Sequence, residues 1–273
     1  MTEWKAFTVE ATDHVATVTL TGPGKGNAMG PDFWRELPLI FGELDADPEV
    51  RAVVLTGAGK HFSYGLDLPA MSPVFGPLLA EKALAAPRTG FLDEIRRMQA
   101  AVTAVADCRK PVIAAVSGWC IGGGLDLIAA ADIRLASADA KFSLREAKVA
   151  IVADIGSLHR LPGIIGVGHL RELAYTGKDI DAARAEKIGL VNDVYADQQA
   201  VLDAALALAR EVVANPPLVV QGIKDVLDQP NASRIADGLR YVSTWNAAFL
   251  PSEDLTEAIQ AVFEKRSPEF KGR

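Results

Sequence analysis

Residues 110–166 read KPVIAAVSGWCIGGGLDLIAAADIRLASADAKFSLREAKVAIVADIGSLHRLPGIIG. The opening KPVIAAVSG (110–118) is an apolar run of strand length bounded by proline and glycine, which predicts a buried strand. Three glycines, Gly122 to Gly124, then open a helix, and DIRLASADAKFSL (132–144) reads as two short strands. Upstream, HVATVTL (14–20) and VRAVVLTGAG (50–59) are strands, with helices expected at 32–47 and 91–108; Pro38 is a point where the first of these is expected to kink or break. Alternating strands and helices predict an α/β fold with helices packed outside sheets. Residues 22–27 (GPGKGN) read as a turn, and the proline- and glycine-rich 61–90 connection has no regular period.

After residue 197 the strand signals stop. A strong helix over 198–214 ends at NPP (215–217), and further helices are expected at 217–228, 233–248 and 252–266. The expected organisation is therefore an α/β core over 1–197 and a helical region over 198–273. That region carries more apolar residues than one small helical layer can hide, which points to contacts between subunits.

Composition narrows the possibilities. A net charge of −7 without a Lys/Arg cluster argues against a nucleic-acid partner. Two cysteines and four scattered histidines give neither a disulfide framework nor a metal-ligand spacing, so no metal is expected. The apolar stretches are broken well short of the roughly 18 residues a membrane helix needs. The N-terminal residues show no signal or transit pattern and the C-terminal residues no peroxisomal address, which sets a cytoplasmic location as the expectation.

Three acids stand in this apolar sequence: Asp126 in GGGLDL, Glu146 in REAKVA and Asp154 in VADIG. A carboxylate in apolar surroundings is costly unless it is paired, hydrogen-bonded or protonated. Asp126 could serve the first turn of its helix, and Glu146 could pair with Arg145, Lys148 or Arg134. Clustered carboxyls also push one another's pKa upward, so that one can be protonated while another is ionised near neutrality, the condition for moving protons. The glycines offer backbone N–H groups at a helix start, where a developing negative charge is stabilised. They match neither a dinucleotide fingerprint nor a P-loop.

The 110–166 block, with HFSYGLDL (61–68) and the C-terminal SEDLTEAIQAVFEKRSPEFKGR, resembles the crotonase (enoyl-CoA hydratase/isomerase) superfamily over nearly the whole chain. The resemblance implies a spiral of ββα units, a C-terminal helical trimerisation region, a trimer or a dimer of trimers, and an acyl-coenzyme A thioester as substrate, with no separate cofactor. It places the oxyanion hole at the N–H groups of Tyr64 and Gly123, lines the coenzyme A with Tyr64, Gly65, Leu66, Asp67 and Leu68, and sets Phe263 and Lys265 beside a neighbouring subunit's ligand.

Within the superfamily, hydratases resemble one another in having glutamates where this chain has Asp126 and Glu146, and a glycine where it has Asp154. The Asp-Glu-Asp set is instead similar to the Δ3,5-Δ2,4-dienoyl-CoA isomerases of fatty acid degradation. That likeness implies that Glu146 serves C2 of the substrate, Asp154 serves C6, and Asp126 orients Glu146. Two rival readings are a plain enoyl-CoA hydratase and a non-catalytic acyl-CoA-binding protein on the same fold.

Overall fold

The computed structural model describes residues 3–22, 25–78 and 83–273. It opens with an antiparallel hairpin, β1 (Phe7–Thr12) and β2 (Val15–Leu20), followed by α1 (Pro31–Ala46) and β3 (Ala52–Gly57). α1 runs through Pro38 unbroken, because its apolar face (Phe33, Trp34, Leu37, Ile40, Phe41) is locked into the core on both sides of that residue. The 61–90 connection contains a short helix, α2 (Ser72–Phe75), and the first turns of α3 (Ala85–Asp107).

The decisive segment then shows the strand after Lys110, the helix at the three glycines and the two short strands of 132–144 as expected, and adds an unexpected strand at 119–121. β4 (Val112–Val116) and β5 (Trp119–Ile121) lead into α4 (Gly123–Ala129), and β6 (Ile133–Ser137) and β7 (Lys141–Ser143) into a 3₁₀ turn over Glu146–Val149. After it come α5 (Ser157–Arg160), α6 (Pro162–Thr176), β8 (Asp179–Asp181), α7 (Ala182–Lys187) and β9 (Asp193–Tyr195). Three helices close the chain: α8 (Gln198–Val213), α9 (Pro217–Phe249) and α10 (Glu253–Glu264).

Two sheets wind together. The larger has strand order β1-β2-β3-β4-β6-β9, parallel after the first hairpin, and the smaller has order β5-β7-β8. β4 followed by β5, and β6 followed by β7, each send one strand to the large sheet and the next to the small one, which generates the spiral. The loop after β3 takes the same path through a single bridge from Ser63 to Cys120.

The continuous apolar strands are explained by burial on both faces. In β3, Val53 and Leu55 face the main core while Ala52 and Val54 face a second one; in β4, Ala114 and Val116 alternate with Ile113 and Ala115 in the same way. The second core is closed by Val201, Ala205 and Ala209 of α8. Position 197 therefore marks the end of strand structure, but α8 beyond it is a layer of the sheet, and the projecting helices begin at α9.

Two expected helices, 217–228 and 233–248, are one. Pro230 deprives the Val226 carbonyl of a donor, but residues 225–234 are exposed and water can replace it. β1, whose strand character is masked by an almost wholly exposed second half, was outside the expected set. No helix among the described residues is long and apolar enough to cross a membrane.

Candidate active site

The site lies where the loop 61–68, β5, the start of α4 and the 3₁₀ turn meet. Its first element is a pair of backbone donors. Gly123 is the first residue of α4, so its N–H has no intrahelical acceptor. Facing it is the loop segment at Gly65 and Leu66: a methyl placed on Gly123 would stand 3.8 Å from Gly65 Cα and 3.9 Å from Leu66 N, and one on Gly65 only 3.1 Å from Gly123 N. Met29 bridges to Leu66 by accepting from Asp67 N–H and donating to Gly65 O, which leaves the Leu66 N–H turned away, and it meets no acceptor among the described residues.

Tyr64 does not supply the second donor. Its N–H is already given to Gly26 O at 2.9 Å, and its ring packs on His61 with centroids 5.0 Å apart. The residue that offers a free N–H toward Gly123 is Leu66. The loop is held from beneath by Asn27, a buried residue with positive φ whose amide donates to the carbonyls of Ala58, His61 and Phe62, while Ser63 Oγ donates to Asn27 O. Asn27 falls in the stretch expected as a turn; part of that stretch, residues 23–24, lies outside the described residues.

The three acids converge on one cavity of about 530 Å³. Asp126, in the first turn of α4, is 1 % exposed, and its Oδ1 accepts the Ser157 N–H at 2.6 Å. Burial raises its pKa, opposed by that N–H and by Arg160. Gly156, at φ +148°, is needed beside it, since a methyl there would stand 1.9 Å from Arg160 Nη1. Arg160 itself is held by Thr103 Oγ1 at 3.0 Å.

Glu146 has none of the partners its sequence neighbours could supply. Arg145 is committed to both oxygens of Asp179, at 2.8 and 2.9 Å, and Arg134 to the carbonyls of Leu190 and Ala131. Glu146 Oε2 is buried without a hydrogen-bond partner among the described residues, and Oε1 lies 3.2 Å from where a side chain on Gly122 would begin. Burial, then the nearby Asp126 and Asp154 carboxyls, push its pKa up to about 8.

Asp154 is 8 % exposed. Its Oδ2 accepts from Asn246 Nδ2 at 2.6 Å and its backbone carbonyl from Gln99 Nε2 at 2.6 Å. Burial pushes its pKa up to about 7; the Asn246 amide opposes the rise and Asp126 adds to it. Neither Gln99 nor Asn246 was among the residues expected in the site, because a single amide on the apolar face of a helix carries no spacing signal.

Apolar side chains, among them Trp34, Phe75, Phe91, Met98 and Leu250, complete the cavity, a lining suited to a hydrocarbon chain. Of the loop residues expected to line the ligand, Tyr64, Leu66 and Leu68 face this space. Gly65 and Asp67 are instead parts of the turn: Gly65 closes on Ile121 O, and Asp67 Oδ1 accepts the Ala70 N–H. Phe263 and Lys265, at the end of α10, lie outside this chain's cavity, and Phe263 is 64 % exposed.

Two free N–H groups beside three carboxyls, two of which titrate near neutrality, define a site that can hold an oxyanion and move protons. The comparisons with known proteins agree with that chemistry. The enoyl-CoA hydratase/isomerase family matches residues 10–273, and the chain belongs to that family. Among its relatives, the Δ3,5-Δ2,4-dienoyl-CoA isomerase named mitochondrial in Dictyostelium discoideum is 43 % identical over 99 % of this chain and 93 % of its own length. The isomerase named peroxisomal in Arabidopsis thaliana is 42 % identical over 91 % of this chain and 89 % of its own. A crystal structure of an enoyl-CoA hydratase/isomerase from Xanthobacter autotrophicus Py2 superposes with a TM-score of 0.84 at 28 % identity, covering 96 % of this chain and 94 % of that one. The organelle names of these relatives overturn the expected cytoplasmic location.

Proposed function

We propose that the chain is a Δ3,5-Δ2,4-dienoyl-CoA isomerase acting on acyl-coenzyme A thioesters in fatty acid degradation. The observation that carries the reading is Asp154, a third carboxyl in the same apolar cavity as Asp126 and Glu146. Hydration of a 2-enoyl thioester calls for two acids; moving a proton between carbons four bonds apart gives a further one a task.

The Leu66 and Gly123 N–H groups hold the thioester oxygen. Glu146 removes a proton from C2, and the charge spreads through the dienolate onto that oxygen, where each donor contributes about 3–4 kcal/mol. Double bonds form at C2–C3 and C4–C5 as Asp154 delivers a proton to C6. Asp126 tunes Glu146 through its charge. The productive state has Glu146 ionised and Asp154 protonated. Turnover therefore falls at low pH, where Glu146 keeps its proton, and at high pH, where Asp154 loses its own. The pKa values near 8 and 7 put both carboxyls within reach of either state at neutral pH.

The reading includes a homo-oligomer, a trimer or a dimer of trimers, in which Phe263 and Lys265 border a neighbouring subunit's coenzyme A. Exposed apolar side chains on α9 and α10 support it.

Asp154→Asn tests the assignment, because it keeps the shape and removes the ionisable group. Isomerisation of a 3,5-dienoyl-CoA, followed by diene absorbance, should fall by about two to four orders of magnitude, while any hydration of a 2-enoyl-CoA changes much less. Undiminished isomerisation in this variant would refute the assignment.

A further inference from the structure

Asp154 is gripped by two buried amides from opposite helices. Asn246 on α9 is 1 % exposed, and its Nδ2 donates to Asp154 Oδ2 at 2.6 Å and to Val152 O at 2.8 Å. Gln99 on α3 is 6 % exposed, and its Nε2 donates to Asp154 O at 2.6 Å and to Leu239 O at 3.0 Å. The orientation of both amides is fixed chemically. A backbone carbonyl can only accept, so the NH₂ end of each must face it. Oδ2 is thus committed to a donor, whereas no other described residue donates to Oδ1, and Asp154 lines the cavity.

We propose that Asn246 is a positioning residue for proton transfer at Asp154: by holding Oδ2 it leaves Oδ1 as the oxygen that carries the proton to and from substrate. This rests on the isomerase reading of the site. Oδ2 accepts the Asn246 N–H whether Asp154 is neutral or ionised, so the carboxyl need not rotate between the two states. In the step, the Oδ1–H bond breaks as the C6–H bond forms, and the electron pair of the dienolate takes the proton. Gln99 fixes the backbone from which the carboxyl projects. The titratable groups acting on or with Asp154 are Asp126 and Glu146, and α3 and α9 each bring a neutral amide to it. Losing the Asn246 donor removes an interaction that favours the ionised form of Asp154, and the rate profile of the coupled Glu146–Asp154 pair must move to higher pH.

The test uses Asn246→Leu and the donor-retaining Asn246→Ser in the full-length chain. The measurements are kcat and KM for a 3,5-dienoyl-CoA across pH 5–10 and deuterium uptake from D₂O at C2 and at C6. Asn246→Leu should lower kcat by about 10–100-fold, the size of effect that misplacing a reacting group produces, with KM changed by less than about threefold. Its rate profile should lie at higher pH than the wild-type profile, and deuterium uptake at C6 should fall in step with kcat while uptake at C2 persists. Asn246→Ser should restore part of kcat and place the profile between the two; it carries the test if Asn246→Leu does not fold. A rate profile that stays in place on the pH axis, or equal losses at C2 and C6, would overturn the proposal by reducing Asn246 to a packing role. The two readings fail separately. A fully active Asp154→Asn defeats the isomerase assignment, whereas an inactive Asp154→Asn beside an Asn246→Leu with wild-type pH behaviour defeats only the role of Asn246.

Discussion

Asp154 is held in the cavity against its own solvation, and that cost predicts an effect on stability as well as on rate. Its folded-state pKa near 7 stands well above the ordinary aspartate value of 3.8. Between those two values the folded state holds a proton that the unfolded chain has released, so this residue's contribution to stability is full below about pH 4 and is lost as pH rises toward 7. Asp154→Asn has no such titration. Its melting temperature relative to wild type should therefore climb between pH 5 and pH 8, by at least about 2 °C; calorimetry showing a constant difference would mean that Asp154 is not buried as a carboxyl. The acids were legible in the sequence because charge in an apolar run is conspicuous. The donor at residue 66 was not, because the direction of an amide in a loop depends on which carbonyl the loop bridges to, here Met29 O.

At the scale of elements, the site exists because the start of α4 and the 61–68 loop approach to backbone distance. A side chain on Gly123 would enter that gap, its first carbon 2.8 Å from Met29 Sδ. Gly123→Val should cut isomerisation by at least about 100-fold, the typical effect of losing one oxyanion donor, with the circular dichroism spectrum unchanged; a fully active, folded variant would remove Gly123 from the site. The strands β4, β6 and β7 and the opening of α4 were readable because glycines and short apolar runs punctuate them. Prolines misled the reading at 38 and 230, since a local helix breaker says nothing of the packing or solvent that offsets it. The 61–90 connection hid the first turns of α3, where Pro87 and Gly90 obscure a helical period.

At the scale of the whole molecule, α9 turns Tyr241, Trp245 and Phe249 outward as a row of mutually tilted rings, with centroids 6.4 and 4.6 Å apart, and each is more than 40 % exposed. Leu218, Val226 and Leu227 extend the exposed apolar surface along the same helix. Light scattering at micromolar concentration should give a mass that is a multiple of the 29.0 kDa chain; a monomer would leave this surface unexplained and defeat the oligomer. The excess of apolar residues after position 197 was legible in the sequence, but not that α8 spends its share on the sheet. The grip on Asp154 also has a meaning in time. Its two amides lie 55 residues before it and 92 after it in the chain. At about 5–20 residues per second, a ribosome needs roughly 5–20 s to pass from Asp154 to Asn246. All three acids, the glycines and the loop of the oxyanion hole leave the ribosome before that interval ends. The nascent chain therefore carries its chemical groups well ahead of the amide that aligns the last of them, and the alignment of Asp154 waits until α9 has been made.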